Sequence, residues 1–191
     1  MSIIAAINDT DDNVVWVGSN GRATLGSLRA PSVDRKWKAM NGWLIGITGS
    51  GPKLEALDAH ANEFPDTAEH PFEILKFMKS AYEAFDIGDT EEGLKRYCGS
   101  GILISKTGRI WDFDNSFCLT EVASGALWAQ GSGMEIALGA AAALEEYIPS
   151  RRERMRRAIE ITIEKDVDCP GELIVQSFDR NGILSPMDVA S

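Results

Sequence analysis

A serine at position 2 offers this chain a nucleophile outside any classical catalytic motif. The 191-residue sequence has two histidines, His60 and His70, and contains no HExxH, GxSxG or P-loop pattern. A Ser-His-Asp triad is therefore poorly supported, and we interpret both histidines as structural. A free α-amino group has a pKa of about 8 and can take a proton from a hydroxyl. If Met1 is removed, Ser2 carries a nucleophile and a base on one residue. Many chains begin Met-Ser, so this feature needs support from the rest of the sequence.

Composition and charge narrow the classes of function. Hydrophobic residues make up 44% of the chain and charged residues 25%, as in an ordinary globular protein. The net charge of −10 disfavours nucleic acid as a partner. No apolar run reaches the roughly 18 residues of a membrane span, and the N-terminus lacks the basic flank of a secretion signal. The cysteines (Cys98, Cys118 and Cys169) are far apart, which argues against a disulfide framework or a zinc site. We therefore expect a cytoplasmic protein with no cofactor and no metal.

Hydrophobic periodicity predicts strands, two helices, strands, two helices and a final strand. The first half has strand patterns at 2–7, 14–19, 34–40 and 43–50, followed by helical patterns at 53–63 and 71–85. The second half has strand patterns at 100–106 and 109–114, with a third near LTEV or ALWAQ. It continues with helical patterns at 131–147 and 151–165 and a strand at 172–179. The dipeptide Asn41-Gly42 is a strong hairpin signal between two of these strands.

This order of elements predicts an α+β fold. Runs of strands followed by runs of helices are typical of antiparallel sheets rather than of βαβ units. Two sheets stacked between two helix layers, a four-layer αββα sandwich, bury both helix pairs most simply. We find no linker and expect one domain over residues 1–191. The arginine cluster at 151–157 is interpreted as a solvated helix face or a subunit contact.

The segments MSIIAAI and VVWVGSNGRATLG are similar to the first hairpin of bacterial proteasome-like peptidases and β-type proteasome subunits, which are proteasome-family N-terminal-nucleophile hydrolases. Further segments resemble this family in the same order along the chain. WLIGITGSG is similar to that family's strand and small-residue turn, and AQGSGMEIALGAAAAL to its Gly-Ser-Gly helix opening. AIEITIEKDVDCPG resembles its helix ending in Asp-x-x-Ser-Gly. The resemblance covers nearly the whole chain and implies the αββα fold predicted above.

The resemblance also implies a set of site residues. Ser2 would stand where the family has its nucleophile, usually threonine, and a backbone N–H at Gly49 would bind the oxyanion. Ser132 and Asp166 would hydrogen-bond around the α-amine. From the sequence alone, Ser132 fits equally well as a helix N-cap, and Asp166 as a carboxylate at a helix end.

The chain departs from the family pattern at several of these positions. Asn20 stands where the family has an aspartate, and Cys169 stands at its second serine. The family's lysine corresponds to Arg35, or to Lys36 if the register differs by one. Neighbouring residues on a strand face opposite sides, so Arg35 and Lys36 cannot both point into the site. These differences leave the fold prediction intact and weaken the prediction of full activity.

The resemblance implies a proteasome-like peptidase subunit that hydrolyses peptide bonds of peptides or unfolded proteins inside a homo-oligomeric ring. An ATP-dependent unfoldase would supply the substrate. Asn20 and Arg35 leave open a catalytically silent structural subunit of the same fold. A small-molecule amidase with an exposed site is a third hypothesis.

Overall fold

A computed structural model describes the chain apart from residues 1, 26–27, 32–34, 50–51, 92, 98, 187 and 191. For residues 22–25, 28–31, 94 and 189–190 the backbone alone is described. Among the described residues, no helix is long and apolar enough to cross a membrane.

Fourteen strands and four α-helices are assigned within the described part of the chain. The strands are β1 Ile3–Asp9, β2 Val14–Asn20, β3 Arg22–Leu25, β4 Leu28–Pro31, β5 Trp37–Met40, β6 Trp43–Ile47, β7 Asp89–Glu91, β8 Leu94–Arg96, β9 Gly101–Ser105, β10 Ile110–Phe113, β11 Leu119–Glu121, β12 Leu127–Gly131, β13 Leu173–Asp179 and β14 Asp188–Ala190. The helices are α1 Lys53–Ala59, α2 Pro71–Ala84, α3 Met134–Leu144 and α4 Arg151–Lys165.

Two five-stranded antiparallel sheets form the middle of the molecule. One sheet has the order β12-β1-β2-β13-β14 and the other the order β11-β10-β9-β6-β5. Side chains alternate along each strand, so each sheet presents one apolar face to the other sheet and one to a helix layer. Ile4, Leu44 and Ile102 belong to the core between the sheets. The remaining faces pack against α1 and α2 on one side and against α3 and α4 on the other. The predicted α+β sandwich, αββα, is confirmed.

The observed elements differ from the sequence prediction in a few places. The helical pattern at 53–63 is an α-helix only to Ala59, and residues 61–63 form a 3₁₀ turn. LTEV and ALWAQ both contain strands, which lie in different sheets. Two short hairpins, β3–β4 and β7–β8, were not predicted. The turn at Asn41-Gly42 has the positive φ angles, 42° and 80°, that favour this dipeptide in a hairpin.

The arginines of α4 pair with carboxylates. Arg154 is buried and its guanidinium lies 3.0 Å from Glu145. Further pairs join the helix to neighbouring strands, turns and its own next turn: Arg151 with Asp9 and Asp11, Arg152 with Asp188, and Arg156 and Arg157 with Glu160. The cluster is therefore largely neutralised within the chain.

Candidate active site

One end of the first sheet brings the start of β1 next to the ends of β2 and β12. Ile3 pairs with Gly131, and Ile4 pairs with Ser19. The first residue of β13, Leu173, pairs with Asn20. Because these strands are antiparallel, residues far apart in sequence meet at this edge. Ser2 immediately precedes β1 and lies half-buried there.

The second sheet ends at the same place. The Ser100 hydroxyl donates to the Gln130 side-chain oxygen at 2.8 Å, which joins the start of β9 to the end of β12. A Cβ added to Gly46 of β6 would lie 2.3 Å from the Ile4 side chain, so the two sheets approach closely at this point. The turn after β6, where Gly49 lies, is thus held beside the start of β1.

Asn20 holds the first peptide of β1 from one side and the loop before β13 from the other. Its side-chain oxygen accepts the Ile3 N–H at 2.9 Å, and its amide nitrogen donates to the Pro170 carbonyl at 2.9 Å. The side chain is fully buried. Both polar ends are therefore satisfied by backbone, and an amide is the side chain that can donate and accept in this way.

Ser132 contacts the residue predicted as the nucleophile. Its hydroxyl lies 3.5 Å from the Ser2 carbonyl oxygen and 3.2 Å from the Cys169 sulfur. Helix α3 has Gly133 as its N-cap residue, with no side-chain capping bond. Of the two interpretations that the sequence left open, the helix N-cap is wrong. Gly133 permits this packing, because a Cβ there would lie 3.0 Å from the Cys169 sulfur and 2.3 Å from the Thr162 methyl group.

Asp166 ends α4 and reaches the same group of side chains. It is the C-cap residue of α4, and one carboxylate oxygen accepts the Asp168 N–H at 2.9 Å. The carboxylate also hydrogen-bonds the Cys169 thiol. Burial raises the pKa of Cys169 to about 11, and the negative charge of Asp166 acts in the same direction. The hydroxyl of Ser132 opposes this shift. Cys169 is thus a neutral, buried thiol at neutral pH.

Gly49 has φ of +96°, in the region that favours glycine. The preceding residue, Thr48, donates its N–H to the Ser100 carbonyl at 2.8 Å. A Cβ added to Gly99 would lie only 2.4 Å from the Thr48 carbonyl oxygen, so that carbonyl points at Gly99. In a trans peptide the N–H points opposite to the carbonyl, which directs the Gly49 N–H away from Gly99.

Arg35 and Lys36 lie just before β5 at this end of the second sheet. The Lys36 carbonyl accepts the Ile47 N–H at 2.8 Å, which extends the ladder to this residue. Trp37 donates its indole N–H to Gln176 across the inter-sheet core at 2.9 Å. Side chains alternate along a strand, and Trp37 faces the other sheet. This pattern favours Arg35, rather than Lys36, as the residue whose side chain faces the other sheet. Arg35 is exposed. The pKa of Lys38 is lowered mainly by its own burial and further by the positive charge of Arg35.

Searches of solved structures find close similarity over nearly the whole chain. BPH from Thiobacillus denitrificans, in complex with epoxomicin, has a TM-score of 0.72 at 16% identity, covering 96% of this chain and 100% of its own. HslV from Trypanosoma brucei has a TM-score of 0.63 at 22% identity, covering 92% and 98%. An Anbu mutant from Hyphomicrobium sp. strain MC1 has a TM-score of 0.73 at 9% identity, covering 100% and 87%. The chain has the proteasome-like N-terminal-nucleophile hydrolase fold. Neither a protein-family model nor a curated protein matches the sequence.

Within this proteasome-like fold, the contacts given above join Ser2, Asn20, Ser132, Asp166 and Cys169 into one cluster. Gly49, Arg35 and Lys36 lie at the same end of the sandwich on the other sheet. Among the described residues, no group of three or more His, Cys, Asp or Glu side chains is arranged to hold a metal ion.

The sequence prediction missed a set of polar residues at this end. They are Thr48, Ser100, Asp112 and Gln130, which with Gly99 form one set of contacts, and Gln130 links this set across the two sheets. Thr48 and Gln130 were signalled only as polar residues inside otherwise apolar strand patterns. The strand pattern at 100–106 begins with Ser100, and nothing in the sequence places this residue opposite Gln130.

Proposed function

We propose that this chain is a proteasome-like peptidase subunit that uses Ser2 as an N-terminal nucleophile. The observation that supports this most directly is the position of Ser2. Ser2 immediately precedes β1, an interior strand of the first sheet, and its carbonyl oxygen lies 3.5 Å from the Ser132 hydroxyl. Asn20 fixes the next peptide, so the first residues are ordered before substrate arrives. Order of this kind is what a nucleophile requires.

In the proposed reaction, removal of Met1 frees the Ser2 amine, which accepts the hydroxyl proton directly or through a water. The Ser2 Oγ forms a bond to the substrate carbonyl carbon, and the carbonyl oxygen becomes an oxyanion. The Gly49 N–H donates to this oxyanion; a donor of this kind is worth about 3 kcal/mol of barrier. Collapse breaks the C–N bond, and the leaving amine takes the proton. Water then hydrolyses the ester and restores Ser2.

We propose that three linked side chains, of which Ser132 contacts the Ser2 carbonyl, set the environment of the Ser2 amine. Ser132 touches both Ser2 and Cys169, and Asp166 hydrogen-bonds Cys169. Cys169 contributes no charge, because burial raises its pKa to about 11. The carboxylate of Asp166 is therefore the charged group of this cluster, and a nearby negative charge favours the protonated amine. Arg35, on the second sheet, supplies a positive charge.

The BPH structure that resembles this chain is a complex with epoxomicin. We propose that the same class of compound, and by extension a peptide substrate, reaches Ser2 here. We also propose a homo-oligomeric ring enclosing the sites, with an ATP-dependent unfoldase as partner and the cytoplasm as location.

Intact-protein mass spectrometry, before and after treatment with epoxomicin, tests this function. We expect loss of Met1 and one adduct, which peptide mapping places on Ser2 and which the Ser2→Ala variant lacks. Retained Met1, or a free Ser2 that never reacts while the protein remains folded, would contradict an autonomous peptidase.

A catalytically silent subunit of the same fold is the second candidate. The observation that favours it is Asn20, whose two polar ends are both bonded to backbone and which carries no charge. For this candidate, Ser2→Ala changes no activity, and the assembled state is unaffected. The third hypothesis, an amidase with an exposed site, requires a monomer or dimer and is separated from both by size in solution.

A further inference from the structure

We propose that Thr48 and Gly99, together with a hydrogen-bond chain through Ser100 and Gln130, are positioning residues that orient the Gly49 N–H toward the Ser2 side of the site. This inference rests on the proposed function, because it assigns a role to the same oxyanion donor. None of these residues contacts the reacting atoms in the proposal. They act on the geometry of one peptide.

The peptide between Thr48 and Gly49 is fixed from the Thr48 side by two bonds to one acceptor. The Thr48 N–H donates to the Ser100 carbonyl at 2.8 Å, and the Thr48 hydroxyl donates to the same oxygen at 3.0 Å. Thr48 is 5% exposed, so water does not compete effectively for these bonds. The ladder between β6 and β9 already pairs Ile47 with Gly101. The Thr48 N–H bond thus extends the ladder by one residue into the turn, and the hydroxyl adds a second bond to the same acceptor.

Gly99 fixes the same peptide by close packing. A Cβ at position 99 would lie 2.4 Å from the Thr48 carbonyl oxygen and 3.0 Å from the Lys53 ammonium nitrogen. The carbonyl therefore occupies space that only a glycine leaves open. Since a trans peptide sets C=O and N–H in opposite directions, the contact with Gly99 determines where the Gly49 N–H points.

The remaining links join this peptide to the strand that carries Ser2. The Ser100 hydroxyl lies 3.2 Å from the Thr48 hydroxyl and donates to the Gln130 side chain at 2.8 Å. Gln130 also donates to Asp112 of β10. In β12, Gln130 pairs with Ile4, two residues from Ser2. This chain of hydrogen bonds thus spans both sheets. It couples the position of the turn that contains Gly49 to the start of β1.

A chain of hydrogen-bonded polar side chains is unusual between these two sheets. The inter-sheet core nearby consists of apolar side chains such as Ile4, Ile102 and Ile104. Polar groups in such a layer contribute little net stability but are costly when left unpaired, so they specify one arrangement of the two sheets. A precise distance between nucleophile and oxyanion donor is the property that the proposed chemistry needs from that arrangement.

A matched pair of variants tests the role of the hydroxyl. Thr48→Val keeps the branched shape and removes the hydroxyl, whereas Thr48→Ser keeps the hydroxyl. With a fluorogenic peptide substrate, we expect Thr48→Val to lower kcat by about 10- to 100-fold with KM changed less than about twofold. Thr48→Ser should remain within about threefold of the wild type in kcat, because its hydroxyl can make the same bond. Gly99→Ala should lower kcat like Thr48→Val.

A separate variant distinguishes positioning from general loosening of the sandwich. Gln176→Met removes an inter-sheet bond from Trp37, and also a bond to the Ser185 carbonyl, at a position outside the hydrogen-bond chain proposed here. We expect this variant to retain the wild-type kcat. Equal loss of kcat in Gln176→Met and Thr48→Val would overturn the inference, as would a Thr48→Val enzyme with wild-type kcat.

Hydrogen exchange measured by mass spectrometry gives a readout that does not depend on activity. For the peptide containing residues 48 and 49, we expect exchange to be at least about tenfold faster in Thr48→Val than in the wild type, and unchanged in Thr48→Ser. If the wild type fails to react with epoxomicin at Ser2, the proposed function is wrong. Hydrogen exchange still tests whether the Thr48 hydroxyl fixes the peptide between Thr48 and Gly49. Unchanged exchange in Thr48→Val would then overturn this inference too.

Discussion

Asn20 occupies the position where the resemblance to the family led us to expect an aspartate, and its contacts explain why an amide serves here. The fully buried side chain accepts the Ile3 N–H and donates to the Pro170 carbonyl, both at 2.9 Å. In Asn20→Asp, a carboxylate would face the Pro170 carbonyl oxygen without a proton to donate. We expect a loss of about 1–3 kcal/mol in the free energy of unfolding at pH 7. Urea denaturation measures this loss.

The matched control for Asn20 is an exposed asparagine, such as Asn62→Asp, which lies in the 3₁₀ turn after α1. We expect a change within about 0.5 kcal/mol there, as at most surface positions. An Asn20→Asp variant as stable as the wild type, and more active, would show that the position is catalytic rather than a clamp on β1.

Cys169 gives a prediction about reactivity and pH. Burial, and then the bond to Asp166, raises the pKa of this thiol to about 11, so the reactive thiolate is scarce below pH 9. At pH 8 we expect iodoacetamide to modify exposed Cys118 in the folded protein and to leave Cys169 unmodified until the chain is denatured. Since the unfolded thiol releases its proton first as pH rises, its contribution to stability declines from about pH 9 upward. Rapid labelling of Cys169 at pH 8 would contradict this assignment.

At the scale of elements, the position of Ser2 depends on a glycine at the end of β12. Gly131 has φ of +107°, and a Cβ there would lie 2.0 Å from the Ser2 carbonyl oxygen. We expect Gly131→Ala to displace Ser2, to lower epoxomicin labelling at least about 100-fold, and to destabilise the fold by more than about 1 kcal/mol. Labelling rates and urea denaturation measure both effects.

Gly139 in the middle of α3 is the control for Gly131. A Cβ at this position meets nothing within 4 Å, and its φ is not positive. Gly139→Ala should therefore leave labelling unchanged and stabilise the chain by about 0.5–1 kcal/mol through helix propensity. If both alanine variants lose labelling equally, the effect does not arise from the contact with Ser2.

Elements with strong periodicity were predictable, and those without it were not. The strands β1, β2, β9 and β13 are apolar on one or both faces, so their pattern is visible in the sequence. The hairpin β7–β8 lacks such a pattern, because every residue of β7 is exposed. Helix α1 ends at Ala59, since its buried positions stop at Leu57 and the following residues face solvent.

The resemblance supplied the positions proposed for the candidate site, whereas contacts across the sheets could not be predicted from the sequence. Ser2, Ser132 and Cys169 meet because antiparallel pairing sets Ile3 opposite Gly131, which no local pattern encodes. Position 132 fits a helix N-cap by residue type, yet helix α3 begins one residue later. The pairing of Ser100 with Gln130 depends likewise on how two separate sheets stack.

At the scale of the whole molecule, the proposed peptidase needs an enclosed site, and that depends on assembly. Several large hydrophobic side chains are exposed in the single chain, among them Tyr147 at 79% and Val167 at 82%. Val167 directly follows Asp166, so it lies at the end of α4 beside the candidate site. We expect native mass spectrometry to show one dominant species whose mass is a multiple, of six or more, of the 20.8 kDa chain.

Dilution provides the second measurement of that assembly. Subunit contacts stabilise the folded chain by mass action, so the Tm of an assembled protein should rise with protein concentration. A Tm that is independent of concentration, together with a mass of 20.8 kDa, would exclude a chamber. Ser2 would then be open to solvent, and the amidase hypothesis would be favoured if Ser2 still reacted with epoxomicin. A large assembly whose Ser2 is free but unreactive would instead favour the silent subunit, so size and labelling together separate the three hypotheses.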